Sequence, residues 1–161
     1  MPSSARKILP LANVALWRDS LRTRGIPLVV TNGCFDLLHV GHVSYLEAAR
    51  NLGGALLVGL NSDLSVRSLK GPTRPLNPEH DRAIVIAALE CVDGVTIFTE
   101  TRADRFLQLV QPDLYVKGGD YTLDTLDQTE RHTVETAGGR IVILPLVPGK
   151  STTSLIDKIA R

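Results

Sequence analysis

Five short apolar runs alternate along this chain with stretches whose apolar residues fall at helical spacing, and that alternation narrows the fold more than any other feature. The runs are Leu28-Val29-Val30, Ala55-Leu56-Leu57-Val58-Gly59-Leu60, Val95-Thr96-Ile97-Phe98, Asp113-Leu114-Tyr115-Val116-Lys117 and Ile141-Val142-Ile143-Leu144. Nearly unbroken apolar character marks strands covered on both faces. Around them, residues 13–24, 43–50, 79–90, 102–110, 126–137 and 152–159 read as helices. Strands joined through helices run parallel, by right-handed crossovers. The expected fold is therefore α/β: a Rossmann-like, doubly wound, parallel five-stranded sheet in a single domain, which suits 161 residues.

Punctuation residues agree with these bounds. Gly25 and Pro27 stop the first helix, Gly53-Gly54 the second and Gly138-Gly139 the one before the last strand. Asn77-Pro78-Glu79 opens a helix with a capping side chain, a first-turn proline and early acids at Glu79 and Asp81. Residues 64–76 contain Lys70-Gly71-Pro72-Thr73-Arg74-Pro75 and read as a loop that moves. Residues 1–10 read as loose, so the chain divides into an N-terminal arm, 1–12, and a domain, 13–161.

Charge excludes some functions. With 18 basic and 17 acidic residues, nothing draws the chain to nucleic acid or a membrane surface through bulk electrostatics. No apolar run approaches the ~20 residues of a membrane span, and the first dozen residues lack a signal-peptide core. Cys34 and Cys91 are far apart without metal-ligand spacing, which suits a reducing compartment. A cytoplasmic enzyme-sized domain is expected.

Open α/β sheets bind ligands beyond the carboxyl ends of their strands, where strand order reverses. The stretch 31–42, Thr-Asn-Gly-Cys-Phe-Asp-Leu-Leu-His-Val-Gly-His, leads from the first strand into a helix. A helix start offers free amides and a positive dipole to phosphate. His39 and His42 are one turn apart, and Gly41 lets a polyphosphate approach the backbone. Such histidines serve either as helix caps or as catalytic groups. A dinucleotide fingerprint is absent. Gly149-Lys150-Ser151-Thr152 is not a P-loop either, because leucine stands at 144 where that motif needs glycine. What remains there is a helix start with three hydroxyls, Ser151, Thr152 and Thr153, able to cap the helix and to donate to phosphate. Lys117-Gly118-Gly119-Asp120 ends a strand with backbone open to a base or sugar, and Arg82, one turn into its helix, reads either as part of the site or as a structural partner of a nearby acid.

The pattern at 31–42 resembles the signature of the small nucleotidyltransferases, the cytidylyltransferase-like family, and the similarity extends over 28–159. Asn61-Ser62-Asp63, Leu69-Lys70-Gly71, Arg74-Pro75, Asn77-Pro78, the stretch 112–121 and Gly149-Lys150-Ser151-Thr152-Thr153 are similar to the nucleotidyltransferase module of ADP-heptose synthases. The resemblance implies adenylyl transfer from ATP to a heptose 1-phosphate, giving ADP-heptose and pyrophosphate for the lipopolysaccharide inner core. It implies catalytic roles for His39, His42 and Lys70, the lysine closing over the triphosphate. Asn32, Gly33, Cys34, Phe35, Gly41, Lys117, Gly118, Asp120, Ser151, Thr152 and Thr153 would bind the nucleotide, and Asp36, Asn61, Asp63 and Arg74 the sugar phosphate. No protein metal ligands are expected: Mg²⁺ would be held mainly by the nucleotide phosphates. A homodimer is expected, with kinase and phosphatase as separate proteins. A phosphate nucleophile is already anionic, so alignment and charge stabilisation replace a catalytic base.

Glycerol-phosphate cytidylyltransferases carry an Arg-Thr pair before the glycine of the C-terminal motif, where this chain has Leu146 and Val147, which weighs against a cytidylyl reading. The rivals are a cytidylyltransferase for glycerol 3-phosphate or an aminoalcohol phosphate, and a non-catalytic nucleotide sensor. A sensor would be expected to carry a damaged His-x-Gly-His, and this one is intact.

Overall fold

The apolar runs become strands β1 (Leu28–Gly33), β2 (Ala55–Asn61), β3 (Gly94–Phe98), β4 (Leu114–Gly118) and β5 (Arg140–Leu144) in a computed structural model that describes residues 3–119 and 121–159. All pair in parallel, in the order β3-β2-β1-β4-β5. The helices are α1 (Val14–Thr23), α2 (Val40–Arg50), α3 (Asp63–Lys70), α4 (Glu79–Ala87), α5 (Asp104–Val110), α6 (Gln128–Thr136) and α7 (Thr152–Ile159). Alternate strand residues face opposite sides, so the sheet carries two cores. Val29, Leu56, Val58 and Val116 pack with Tyr45 and Leu46 of α2 and Ile86 of α4. Leu28, Val30, Leu57 and Tyr115 pack with Val14 of α1, Phe106 of α5 and Val134 of α6. The sheet is doubly wound, as expected.

Strand order reverses between β1 and β4. While β1 pairs with β2 from Leu28 to Gly33, it pairs with β4 only at Val29↔Leu114 and Val30↔Tyr115. Beyond those residues the Tyr45 hydroxyl of α2 spans the gap, 2.7 Å from Thr31 Oγ1 and donating to the Val116 carbonyl at 3.0 Å. The carboxyl ends of β1 and β4 thus part around a tyrosine.

Three local expectations change. Residues 64–76 are not all loop: α3 occupies Asp63–Lys70, capped by Ser62 Oγ, which accepts the Ser65 amide, with Ser65 and Val66 buried. Only the proline-rich part beyond Gly71 is irregular, because its prolines cannot supply helical donors. The arm is not loose within its described residues. Ile8 bridges to Val95, the Leu9 amide donates to the Val95 carbonyl at 2.8 Å, and Lys7 Nζ donates to the Leu89 carbonyl at 3.1 Å. An open sheet edge offers its unpaired backbone groups to any adjacent segment. Finally, the Asn77 side chain does not cap α4: its Nδ2 donates to the Asp36 carbonyl. Among the described residues no helix is long and apolar enough to cross a membrane.

Candidate active site

The turn from β1 into α2 is shaped by its own side chains. Phe35 takes a left-handed backbone, φ 44°, and its ring lies against Gly33, where a Cβ would come within 2.9 Å of the ring. His39, with extended backbone, is the N-cap of α2: its Nδ1 accepts the Gly41 amide at 3.1 Å, and its carbonyl accepts the His42 amide at 2.9 Å. A ring that accepts at Nδ1 carries its proton at Nε2 when neutral, so Nε2 is its donor. The cap and catalytic readings are therefore compatible in one residue.

The His42 ring stacks on that of His39, centroids 3.9 Å apart, and meets the Phe35 ring edge-on at 5.2 Å. Its Nδ1 is buried with no hydrogen-bond partner. Burial first, and His39 second, push the His42 pKa down to about 4, against a weaker opposing pull from the Leu37 carbonyl. His39 is also lowered, by burial and then by the charge of Lys150. Lowered pKa values leave both imidazoles neutral at neutral pH.

The C-terminal motif folds onto this turn. Ser151 Oγ accepts the Ser154 amide at 3.0 Å, capping α7, while Thr152 Oγ1 donates to the Leu37 carbonyl at 3.2 Å across 115 residues of sequence. Thr153 is exposed beside them. Lys150 crosses Gly41 so closely that a Cβ on that glycine would lie 3.2 Å from the Lys150 Cβ. Gly41 is thus required by the neighbouring loop and by the His39 ring.

On the β4 side, Lys117 Nζ donates to Asn32 Oδ1 at 3.2 Å and lies 3.6 Å from Glu130 Oε2. The buried Tyr115 hydroxyl lies 2.7 Å from Asn32 Oδ1 and 2.8 Å from Glu130 Oε2, one proton between two acceptors. Burial and then Glu130 raise the Tyr115 pKa well above its ordinary value, and burial pushes Tyr45 up to about 12, so both stay protonated. Gly118 lies against the Tyr45 ring and Leu146. Asp120 lies outside the described residues.

On the β2 side, the acids expected to hold substrate bind protein. Asp36, 4% exposed, accepts Arg74 Nε at 2.6 Å and the Leu76 and Asn77 amides. Burial raises its carboxyl, but the two amides and the guanidinium outweigh that and hold its pKa below the ordinary value. Asn61 Nδ2 donates to Ser65 Oγ. Asp63 accepts Arg82 Nη2 at 2.8 Å, which favours the structural of the two roles open to Arg82. That arginine, only 2% exposed, also donates to the carbonyls of Cys34, Asn61 and Asn77, so one guanidinium ties the ends of β1 and β2 to the start of α4. Burial raises the Cys34 thiol pKa, while the charges of Lys70, Arg82 and Arg74 oppose it. Lys70 is the last residue of α3, exposed, with no hydrogen bond or ion pair among the described residues.

His39, His42, Gly41, Ser151 and Thr152 therefore meet at one helix start, with Asn32, Lys117 and Gly118 across the parted strands and Lys70 and Arg74 on the other flank. Sequence reasoning missed Tyr45, Tyr115, Glu130 and Lys150. Buried tyrosines in apolar runs carry no local signal of a polar partner, whereas Lys150 stood inside a motif already singled out. No cluster of three metal-ligating side chains occurs among the described residues. A concave cleft lined by Arg22, Pro27, Asp113 and Arg140 lies at the opposite, amino-terminal ends of the strands, away from these groups.

Known proteins resemble this chain in sequence and in fold. A family model described as Cytidylyltransferase-like matches residues 30–156. A protein named Bifunctional protein HldE from Geotalea uraniireducens (strain Rf4) is 52% identical over 158 residues, 98% of this chain and 32% of that protein. One of the same name from Mesorhizobium japonicum is 51% identical over 146 residues, 91% of this chain and 28% of that protein. The chain thus spans about a third of the length of these relatives. A crystal structure described as the lipopolysaccharide core biosynthesis protein from Thermoplasma volcanium GSS1 aligns with TM-score 0.63 at 27% identity, covering 76% of this chain and 98% of that one.

Proposed function

The chain belongs to the cytidylyltransferase-like family, and from that membership we propose that it transfers the adenylyl group of ATP to a heptose 1-phosphate, giving ADP-heptose and pyrophosphate. The observation that carries the reading is the stacked, neutral pair His39 and His42 at the start of α2, beside the point where β1 and β4 part. The likeness of 61–78 and 112–121 to ADP-heptose synthase modules selects adenylyl transfer to a heptose. The relatives named above, one of them described by lipopolysaccharide core biosynthesis, support the same choice.

A sugar phosphate oxygen attacks the α-phosphorus of ATP, a P–O bond forms, and the bond from the α-phosphorus to the bridging oxygen breaks to release pyrophosphate. The attacking oxygen carries no proton that must be removed. The chain's task is to hold two anions in line and to stabilise charge as it moves to the leaving group. His39 and His42 donate hydrogen bonds there, with the start of α2 adding its dipole. Ser151 and Thr152 bring hydroxyls from the start of α7. Lys70, at the end of α3, adds charge as the loop after it closes. Asn32 and Lys117, held by Tyr115 and Glu130, face the nucleoside. Asp36 acts by holding Arg74 toward the sugar phosphate. Mg²⁺, held by phosphate oxygens and water, would neutralise the leaving pyrophosphate.

The sugar's phosphorylation and dephosphorylation would fall to other domains or polypeptides, and the active form would be a homodimer. Ile84 and Val85, both exposed on α4, supply an apolar surface for that contact. The test is pyrophosphate release from ATP and CTP, each with heptose 1-phosphate or glycerol 3-phosphate, beside sedimentation of the protein. Turnover with ATP and the heptose is expected. Turnover only with CTP and glycerol 3-phosphate would reject the reading.

A further inference from the structure

We propose that Lys150 is a phosphate-binding residue of this site, its side chain completing, with His39 and the start of α2, the surface that takes the nucleotide's polyphosphate. The assignment rests on the reading that the site takes a nucleoside triphosphate, and it concerns a side chain outside the hydroxyl motif that follows it.

Four observations place it there. Gly149, with φ +71°, turns the chain sharply just before Lys150, and Ser151 caps α7 just after it. The loop between is held on the histidine turn by the bond from Thr152 Oγ1 to the Leu37 carbonyl. The Lys150 Cβ then lies against Gly41, the residue before His42, 3.2 Å from where a Cβ on that glycine would stand. Its charge reaches the His39 ring closely enough to lower that ring's pKa.

Lys150 has no hydrogen bond or ion pair among the described residues, although Arg74, Arg82 and Lys117 around the same strand ends each have a carboxylate partner. Lys150 therefore sets a positive charge beside a positive helix start and a histidine that it helps keep neutral. Such a grouping is unfavourable alone and is relieved by an anion. A solvated lysine would gain most by swinging away from the helix start, whereas the loop on either side carries its stem toward it.

Binding of inorganic triphosphate and of ATP to the full chain, measured by calorimetry at fixed salt, tests this. Lys150→Ala should weaken triphosphate binding roughly tenfold, the loss of one charge-assisted contact, and Lys150→Arg should recover most of it. Lys158→Ala, at the exposed end of α7, controls for net charge and should change little. The His39 ring, followed by NMR in the ligand-free protein, should titrate at higher pH in Lys150→Ala and not in Lys150→Arg. Parent-like triphosphate affinity in Lys150→Ala overturns the assignment while leaving nucleotidyl transfer standing. A parent protein that binds neither ATP nor triphosphate overturns both.

Discussion

The ring of His39 lies over the ring of His42 with centroids 3.9 Å apart and planes 24° from parallel. Two imidazolium ions could not share that geometry without strong repulsion, so at most one ring is charged, and the role proposed for the pair is donation to phosphate. His42→Ala should lower kcat by roughly 10²–10³-fold, as when one preorganised transition-state donor is lost. His42→Gln, which can still donate, should recover part of it. Thermal melts should stay near the parent's. Normal melting with parent-like turnover in both variants would reduce the motif to a helix cap.

Stability should depend on pH through the same ring. His42 has a folded pKa of about 4 against an ordinary value of 6.5. Between those values the unfolded chain binds a proton that the folded chain refuses, so stability falls as pH falls through that window and is unaffected above it. The loss should be about 1–2 kcal/mol, less than the full shift implies because the ring is partly solvated. Urea unfolding of the parent and of His42→Gln, compared at about pH 7 and about pH 4.5, measures it. The variant should lose less stability on acidification, and an equal loss in both would contradict this origin.

Lys70→Ala should slow turnover while leaving the melting temperature unchanged. Lys70 ends α3 exposed, with no partner among the described residues, so the folded state loses little. A cation that acts as the loop closes lowers kcat more than it raises the KM for ATP. A raised KM at constant kcat would make it a ground-state contact instead.

Arg82→Met should be among the most damaging single changes outside the apolar core. It strips partners from Asp63 and from three carbonyls at once. Breaking such a buried pair on one side costs about 3–5 kcal/mol. Arg82→Lys should rescue only part, because an ammonium cannot reach four acceptors from one plane. The urea midpoint reports this directly, and a loss below about 1 kcal/mol would deny the hub role.

Tyr45→Phe removes the hydroxyl between the parted strands, leaving the buried Thr31 hydroxyl and the Val116 carbonyl without it. The cost should be about 1–3 kcal/mol. Unchanged stability in the variant would show that another donor replaces the hydroxyl.

Much of this was legible in the chain. Apolar runs alternating with helical spacing specify parallel strands, and parallel strands place Asn32 and Lys117 at one set of carboxyl ends, with His39 and Ser151 beyond them. Both follow from short-range periodicity and the handedness of crossovers. Where local signals conflicted, the reading failed: the prolines after Gly71 masked the Ser62 cap that starts α3, and the arm's affinity for the edge of β3 lay in backbone groups rather than side chains.

What sequence by itself determined is the type of sheet, the end of it where the histidine turn and the glycine-hydroxyl loop gather, and the residue types found there. Only the tertiary structure decided partners. Asp36 could have faced a sugar, yet it holds Arg74. Arg82 revealed a need for an acid but not for three carbonyls besides. Tyr115 and Glu130 meet because α6 folds back against α5 and β5, and Lys150 reaches Gly41 only because the last loop folds back over the turn into α2. Periodicity is a property of neighbours along the chain, whereas a buried charge or hydroxyl is satisfied by whatever the crossovers bring within about 3 Å of it.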